Sequence, residues 1–336
     1  MPVRVAINGF GRIGRLVLRS IIEFARRDIE VVAINDLGPL ATYAHLLRYD
    51  SVHGRFPGLV TIEDDSIDVG LGKIKYTAIR DPAQLPHKAL GVDVAFECTG
   101  LFTSKEKAAA HLAAGAKRVL VSAPADGVDA TIVYGVNHET LTADDRVVSN
   151  GSCTTNCLAP VAKVLLDSVG IERGYMTTVH AYTNDQHTLD QLHSDLYRAR
   201  AAAVSMIPTS TGAAKAIGLV IPELAGKLDG GAIRVPTPNV SVVDLKVVPS
   251  RATSKEEINE ALVKAASSGP LRGVLAVTED PLVSADLNHI AASSTAALPL
   301  TQVVDGGLVR VLAWYDNEWG FSTRMADVAI AMGKLD

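Results

Sequence analysis

The sequence predicts an α/β protein in which a doubly wound parallel sheet is followed by an α+β domain with a mostly antiparallel sheet. Three features support this prediction. Apolar strands and helices alternate through residues 1–150, a glycine-rich turn joins the first strand to the first helix, and strands with alternating apolar and polar residues take over after residue 153. Strand–helix alternation is typical of a parallel sheet, and period-two alternation is typical of an antiparallel sheet with one covered face.

The first half is predicted to contain five buried strands. Their nearly continuous apolar character is expected of strands that are covered on both faces. These strands are Val3–Ile7, Ile29–Ile34, Asp93–Glu97, Arg118–Ser122 and Val147–Ser149. Helices are expected at Gly11–Arg26 and Ser104–Ala114, and Gly115 is a suitable residue to end the second of them.

The second half is predicted to pack two helices, near residues 210–220 and 254–267, against the antiparallel sheet. Polar residues without clear periodicity fill 180–208, and so long a loop within a domain is usually functional. An amphipathic helix at Phe321–Met332 could return to the first domain. The predicted strands are Met176–Tyr182, Ala232–Val235, Val240–Val248 and Leu308–Tyr315.

Composition and charge exclude several classes of protein. The 336 residues are 48% hydrophobic and 21% charged, and a net charge of −5 without a basic block argues against a nucleic-acid partner. No apolar run reaches the ~18–20 residues that span a bilayer, so no membrane partner is expected. Cys98, Cys153 and Cys157 show neither a disulfide framework nor zinc-ligand spacing, so no metal is expected. We see no signal-peptide pattern and expect a cytoplasmic protein.

The turn after the first strand carries the fingerprint Gly9-Phe-Gly11-Arg-Ile-Gly14. Gly9 permits the tight turn, Gly11 lets the backbone approach a pyrophosphate, and Gly14 allows close helix–sheet packing. Asp36 follows the second strand at the expected distance of about 20 residues and would accept hydrogen bonds from a ribose. Its carboxylate would repel a 2′-phosphate, so the sequence favours NAD over NADP.

This fingerprint predicts a Rossmann domain at residues 1–151, completed by a C-terminal helix at 318–336. Residues 152–317 then form a catalytic domain. The backbone N–H groups of Arg12 and Ile13 would face the phosphates at the helix N-terminus.

A cysteine stands at the predicted start of a helix in Asn150-Gly-Ser-Cys153-Thr-Thr-Asn-Cys157. Ser152 is a natural N-cap residue, so Cys153 is expected in the first helical turn, where unpaired N–H groups favour an anion. Electropositive surroundings can lower a thiol pKa from about 8.5 to roughly 3.5–7.5. The sequence therefore predicts a thiolate nucleophile at Cys153, and a buried structural cysteine is the alternative.

Six long motifs occur in collinear order: Asn8–Arg15, Ser149–Pro160, Arg198–Ala203, Ser210–Lys215, Arg234–Leu245 and Trp314–Gly320. Together they resemble the phosphorylating glyceraldehyde-3-phosphate dehydrogenases of bacterial type, and the resemblance runs from residue 3 to about residue 330. Two stretches depart from the family's usual residues, Leu37-Gly-Pro39 after Asp36 and Gln191-Leu192 in the long loop.

The resemblance assigns roles residue by residue. It implies that Cys153 is the nucleophile and His180 the base. The residues that match the family's contacts to substrate phosphate and inorganic phosphate are Ser152, Thr154, Thr183, Arg198, Thr211, Gly212 and Arg234. Those that match its NAD contacts are Arg12, Ile13, Asp36, Arg80, Ser122 and Asn317, with Asn184 as a further candidate. The resemblance also implies a homotetramer in which the loop at about 180–205 crosses a subunit interface.

The implied chemistry needs these residue types. A thiolate can attack an aldehyde to form a thiohemiacetal, and an imidazole can accept the hydroxyl proton as hydride leaves for nicotinamide. Inorganic phosphate then attacks the resulting thioester to release an acyl phosphate, for which arginine forks and threonine hydroxyls are suitable binding groups.

Other functions remain open at this point. An erythrose-4-phosphate dehydrogenase would share the cysteine–histidine pair and the nucleotide fold. A semialdehyde dehydrogenase is disfavoured because its substrate carries a carboxylate in place of a phosphate. A redox-sensing nucleotide-binding protein could use a reactive Cys153, but it would not need His180, two arginines and two threonines together.

Overall fold

A computed structural model describes residues 1–335 and divides them into two units, each with its own large sheet. The first unit contains Met1–Ile132, His138–Ser152 and the chain from Ser322 onward. The second unit contains Val133–Asn137 and Cys153–Phe321.

The first unit contains a nine-stranded sheet and a two-stranded ribbon. Their strands are β1 Val3–Asn8, β2 Ile29–Asn35, β3 Tyr49–Asp50, β4 Gly54–Arg55, β5 Thr61–Glu63, β6 Ser66–Asp68, β7 Lys73–Thr77, β8 Val94–Glu97, β9 Arg118–Val121, β10 Ala130–Thr131 and β11 Val147–Ser149. The order across the sheet is β10-β11-β9-β8-β1-β2-β7-β6-β5, and the ribbon pairs β3 with β4. All pairs from β10 to β7 are parallel, and β6 and β5 add antiparallel edge strands.

Short helices connect these strands. They are α1 Arg12–Glu23, α2 Leu40–Arg48, α3 His87–Leu90, α4 Lys105–Ala108 and α5 Ala110–Ala113. The single helix predicted from Ser104 to Ala114 is interrupted at Ala109, although Ser104 caps α4 by accepting a hydrogen bond from the Lys107 amide at 3.3 Å. The alanine-rich composition favours a helix but does not show where one is broken.

Helix α1 ends earlier than the predicted Arg26. The amide of Ala25 donates to the carbonyl of Ile22, and the amide of Arg26 donates to the carbonyl of Ile21, both at 2.9 Å. These two bonds form a Schellman motif, which normally places glycine at the left-handed position. Here that position is Ala25, with φ of +49°, so the sequence carries no glycine to mark the end.

The second unit contains an eight-stranded sheet. Its strands are β12 Arg173–Ala181, β13 Ile207–Ser210, β14 Leu228–Val235, β15 Ser241–Val248, β16 Leu275–Thr278, β17 Ser294–Ala297, β18 Gln302–Val304 and β19 Leu308–Tyr315. The order is β13-β14-β12-β15-β19-β17-β16, with β18 paired to β19. Only β12/β14 and β16/β17 are parallel among these pairs.

Three helices complete the core of the second unit: α6 Cys153–Val169, α7 Ala213–Val220 and α8 Lys255–Ser267. Helix α6 is buried along most of its length, and it shares one apolar core with Ile217 of α7, Leu262 of α8 and Val311 of β19. This packing fixes the helix whose first residue is Cys153. The last helix, α9 Trp319–Gly333, contains the division between the two units after Phe321.

The predicted fold class is confirmed, with a mainly parallel sheet in the first unit and a mainly antiparallel sheet in the second. Strand β14 begins at Leu228, earlier than the predicted Ala232. The sequence predicts a late start because Gly230 and Gly231 disfavour a strand locally. A Cβ at Gly230 would lie 2.6 Å from the carbonyl oxygen of Met176, so glycine is needed where β14 approaches β12.

Candidate active site

The centre of the site is the pair of Cys153 and His180. Cys153 is the first residue of α6, and His180 lies near the end of β12. The Sγ of Cys153 is 3.4 Å from Nε2 of His180. The parallel register of β12 with β14 places His180 opposite Arg234. The structure therefore brings the predicted nucleophile and base within contact distance and adds a guanidinium beside them.

The other ring nitrogen of His180 has two polar neighbours. Nδ1 is 2.6 Å from the carbonyl oxygen of Ala181 and 2.8 Å from Nη1 of Arg234. Because the shorter contact is to a carbonyl, which can only accept, we place the imidazole proton on Nδ1. Nε2 then presents its lone pair to the thiol, as a general base requires. Arg234 donates to the same carbonyl at 3.0 Å and is held beside the ring.

Burial controls the ionisation of this pair. Burial raises the pKa of the Cys153 thiol, while the charge of Arg234 and hydrogen bonds from Thr154 act in the opposite direction. Burial and then the charge of Arg234 lower the pKa of His180 to about 3. The expectation of a lowered thiol pKa is therefore wrong, because desolvation outweighs the favourable helix start.

Tyr315, which has no predicted role, contacts the ring of His180. Tyr315 is buried, and its hydroxyl is 2.8 Å from the hydroxyls of both Thr154 and Thr178. Its ring meets the ring of His180 edge to face at 5.8 Å. The two hydrogen bonds to threonine hold Tyr315 in place, and its ring in turn supports the ring of His180. Tyr315 ends β19, but a tyrosine at a strand end gives no signal of this role in the sequence.

Cys157, one helical turn beyond Cys153, lies in the core. Its Sγ lies 3.5 Å from Oγ of Ser294, and burial raises its pKa to about 12. This cysteine is structural.

Two arginines supply positive charge near the pair. Burial lowers the pKa of Arg234, and the like charge of Arg198 adds to this effect. Arg198 is fixed by hydrogen bonds to Asp185 at 2.6 Å and to Oγ1 of Thr209 at 2.8 Å. Two guanidinium groups on this side of the pair form a suitable site for an anion.

The candidate hydroxyl groups are held in different ways. The amide of Thr183 donates to Oε1 of Gln186 at 2.9 Å, and Gln186 is a buried residue that sequence reasoning missed. Thr211 and Gly212 immediately precede α7, and Oγ1 of Thr211 accepts from the Ala213 amide at 3.2 Å.

The remaining two phosphate candidates flank Cys153 in the chain. The Thr154 hydroxyl is engaged with Tyr315, so its contribution to a phosphate site would come from its backbone N–H group. Ser152 is half-buried and directly precedes α6.

The first unit contains a cavity of about 420 Å³ at the carboxyl ends of β1, β2 and β8. A Cβ at Gly9 would lie 2.6 Å from the Thr99 amide nitrogen, and one at Gly14 would lie 2.0 Å from the Gly9 carbonyl oxygen. In contrast, a Cβ at Gly11 would meet no atom within 4 Å. Gly9 and Gly14 are therefore required by packing, whereas Gly11 faces open space, as expected where a pyrophosphate approaches the backbone.

The other candidates of the first unit lie around this cavity or beside it. Asp36 and Arg80 line the cavity. Arg12 directly follows Gly11, and its side chain pairs with Asp50 at 2.5 Å. Ile13, the next residue in the chain, is half-buried. The side chain of Ser122 hydrogen-bonds to Cys98, which also lines the cavity. The residues present fit a dinucleotide.

Asn184 and Asn317 belong to the second unit. Asn184 is exposed in the loop after β12, whereas Asn317 is buried. Ser241 donates to Oδ1 of Asn317 at 2.8 Å and accepts from the Ala181 amide at 3.0 Å. The preceding Val240 has φ of +66°, a conformation that β-branched residues rarely adopt.

Among residues 1–335, no group of three or more His, Cys, Asp and Glu could hold a metal ion. The helices of the same residues include none that is long and apolar enough to cross a membrane.

A Rossmann unit with a glycine-lined cavity and a second unit with a cysteine–histidine pair are typical of a nicotinamide-dependent oxidoreductase. Residues 3–105 match the family model described as glyceraldehyde 3-phosphate dehydrogenase, NAD binding domain, and residues 152–317 match the model of the C-terminal domain of the same enzyme. The chain belongs to the glyceraldehyde-3-phosphate dehydrogenase family, which confirms the resemblance seen in the motifs.

Similar proteins match along the whole chain. It is 73% identical to the glyceraldehyde-3-phosphate dehydrogenase of Xanthobacter flavus over 335 residues, which cover 100% of both chains. It is 69% identical to the enzyme of that name from Cereibacter sphaeroides, again over 100% of both chains. The identity to the enzyme from Zymomonas mobilis is 61%, over 99% of both chains.

Proposed function

We propose that the chain is an NAD-dependent phosphorylating glyceraldehyde-3-phosphate dehydrogenase that works through a thioester on Cys153. The single observation that carries this proposal is the 3.4 Å contact between Sγ of Cys153 and Nε2 of His180, beside the guanidinium of Arg234. Family membership and the names of the relatives favour glyceraldehyde 3-phosphate over erythrose 4-phosphate.

The first step is attack of the Cys153 sulfur on the aldehyde carbon. The thiol proton moves to Nε2 of His180 as the carbon–sulfur bond forms, so the reactive thiolate exists only while the substrate is attacked. The charge of Arg234 favours this transfer at the sulfur, because it lowers the thiol pKa. The same charge disfavours a lasting imidazolium, because it lowers the pKa of His180. Burial, which raises the pKa of the thiol and lowers that of His180, favours the neutral form of both groups before reaction.

A bound NAD would supply the hydride acceptor that oxidation of the thiohemiacetal needs. Gly9, Gly11 and Asp36 of the cavity would hold it, and the open space at Gly11 supports this. Within the chain, His180 takes the hydroxyl proton of the thiohemiacetal as the thioester forms. The proton that His180 received from the thiol goes to the alkoxide oxygen formed on attack, which makes the thiohemiacetal hydroxyl and leaves Nε2 free for this second transfer.

Arg198, Arg234, Thr183 and Thr211 are proposed to bind the substrate phosphate and inorganic phosphate, with Ser152, Thr154 and Gly212 adding further donors. The mutual charge repulsion of Arg198 and Arg234 supports this assignment, since an anion between them relieves it. Phosphate attack on the thioester carbon expels the Cys153 thiolate, which is protonated again from His180.

We expect Cys153→Ser to abolish NADH formation with glyceraldehyde 3-phosphate and phosphate while NAD still binds. A serine hydroxyl at this position is a much weaker nucleophile than a thiol. Absorbance of NADH measures turnover, and calorimetric titration measures NAD binding. Cys157→Ser is the matched control, because it removes a structural thiol one turn away and should retain activity. Full turnover by Cys153→Ser would refute the nucleophile assignment.

A homotetramer is proposed for the assembled protein. The loop between β12 and β13 exposes a group of large apolar side chains that an isolated chain would leave in water. These side chains are Leu189, Leu192, Leu196, Tyr197, Val204 and Met206. Light scattering measures the number of 35.4 kDa chains directly.

The proposed cofactor domain comprises residues 1–151 and the C-terminal helix from 318, and the proposed catalytic domain comprises residues 152–317. We propose a cytoplasmic location, which suits an enzyme whose three cysteines are all free in this structure.

A further inference from the structure

The carboxylate of Asp36 is held by three donors. Oδ2 accepts from the amide of Phe10 at 2.6 Å. Oδ1 accepts from the amide of Leu37 at 2.6 Å and from the hydroxyl of Tyr43 at 2.6 Å. The two amides belong to the turn after β1 and to the residues just after β2, which are backbone parts of any dinucleotide site of this type. Tyr43, in contrast, is a separate side chain on α2.

Tyr43 is fixed by its own surroundings. Its ring packs edge to face against Phe10 at 5.8 Å and lies 6.4 Å from the ring of Tyr76. A Cβ at position 38 would lie 2.8 Å from Cε2 of Tyr43, so glycine at this position makes room for the ring. The hydroxyl of Tyr76 donates to the carbonyl of Gly38 at 2.5 Å, which holds that backbone under the ring.

We propose that Tyr43 is a specificity-determining positioning residue for the cofactor. By donating its hydroxyl to Oδ1 of Asp36, it fixes a negative carboxylate at the edge of the dinucleotide cavity, where a ribose diol can donate to it and a 2′-phosphate is repelled. This inference rests on the proposed role of Asp36 as the ribose contact.

Two further observations agree with this role. Burial and then the hydrogen bond to Asp36 raise the pKa of Tyr43 to about 12, so the hydroxyl remains a donor at neutral pH. Arg80 lines the same cavity as Asp36. A carboxylate released from Tyr43 could turn away from the cavity, and Arg80 would then attract a 2′-phosphate without the opposing charge.

The test compares Tyr43→Phe with the unchanged protein in steady-state assays with NAD and with NADP. Loss of one hydrogen bond to a carboxylate should raise the KM for NAD about 3- to 10-fold, with kcat unchanged. The ratio of kcat/KM for NADP to that for NAD should rise by at least the same factor. Tyr49→Phe, which alters an exposed tyrosine at the end of α2, is the matched control and should leave both values unchanged.

A second variant reaches the same contact by another route. Gly38→Ala places a methyl group against the Tyr43 ring, and it should raise the NADP to NAD ratio in the same direction. An unchanged ratio in both Tyr43→Phe and Gly38→Ala overturns the inference.

Asp36→Ala separates this inference from the assignment on which it rests. A raised ratio in Asp36→Ala with an unchanged ratio in Tyr43→Phe overturns the role of Tyr43 alone. An unchanged ratio in Asp36→Ala overturns both, because Asp36 is then not the ribose contact.

Discussion

Burial raises the pKa of the Cys153 thiol more strongly than the charge of Arg234 lowers it. In the proposed mechanism the thiol loses its proton on substrate attack, and His180, 3.4 Å away, is the proposed acceptor. A thiol with a raised pKa is a weaker nucleophile than a surface thiolate, so the proposed activation depends on this proton transfer.

His180→Asn should lower kcat by about 10²–10⁴, because the general base is lost while the nucleophile remains. The KM for NAD should change little, since the cavity residues proposed to hold the cofactor, Gly9, Gly11 and Asp36, are unchanged in this variant. Stopped-flow measurement of the first turnover reports the chemical step. His45→Asn removes an exposed imidazole from α2 and should leave kcat unchanged. Normal first-turnover rates in His180→Asn would show that another group accepts the proton.

At the residue scale, the sequence could predict which residues lie together in the candidate site, but not the pKa of each group. Cys153 and His180 were found from their motifs, and the structure places them together. The raised thiol pKa could not be predicted, because burial depends on packing between distant segments. Tyr315 was missed because its hydroxyl contacts Thr154, which is distant in the sequence. Gln186 was missed because a glutamine in a polar loop does not show that it accepts from the Thr183 amide across a turn.

The ends of elements depend on local backbone conformation, as helix α1 shows. Its Schellman motif places Ala25 at φ of +49°, where an L-residue with a Cβ is strained. The sequence predicted a longer helix because alanine gives no stop signal. The parallel pairing of β12 with β14 was likewise not predictable from their alternating patterns, although it is the register that places Arg234 opposite His180.

Ala25→Gly should stabilise the protein by about 1 kcal/mol, because glycine adopts the left-handed conformation without the steric cost of a Cβ. Urea unfolding at a fixed protein concentration measures the change. Ala41→Gly is the control of opposite sign, since Ala41 is an exposed residue inside α2 and its replacement should cost roughly 0.5–1 kcal/mol. A loss of stability in both variants would argue against strain at Ala25.

On the scale of the whole molecule, each unit contains a buried histidine that disfavours protonation. Burial and then the charge of His111 lower the pKa of His87 in the first unit to about 4, and the pKa of His180 in the second is about 3. Both values lie below the ordinary 6.5 that an unfolded chain would show. At a pH between about 4 and 6.5, these histidines are therefore protonated in the unfolded chain but not in the native protein.

The free energy of unfolding should therefore decrease as the pH falls from 6.5 towards 4, with a slope of about 1.4 kcal/mol per pH unit for each such histidine. Above pH 6.5 the contribution is fully present. Chemical unfolding at a series of pH values measures the slope. In His87→Asn the slope over this range should be smaller, whatever the change in absolute stability. A slope that is the same in both proteins would exclude His87 as one of the groups.

The two-unit plan and the fold class could be predicted because the glycine fingerprint and the strand patterns are local signals. Edge strands such as Thr61–Glu63 and Gln302–Val304 were missed, since short strands form mainly through pairing with a neighbour. Burial of His87 was also invisible in the sequence, because an isolated histidine within a polar segment gives no indication of its depth.

The left-handed conformation of Val240 has a consequence for how the enzyme is assembled. Such a backbone state costs roughly 1–3 kcal/mol and persists only where surrounding contacts impose it. Those contacts include the pairing of β15 with β12 and the hydrogen bond between Asn239 and Asn288 at 2.7 Å. A nascent or partly denatured chain would relax at Val240 and displace Ser241, which supports Ala181 next to the base. Loss of the contacts around Val240 is therefore expected to lower activity by disturbing the backbone next to His180.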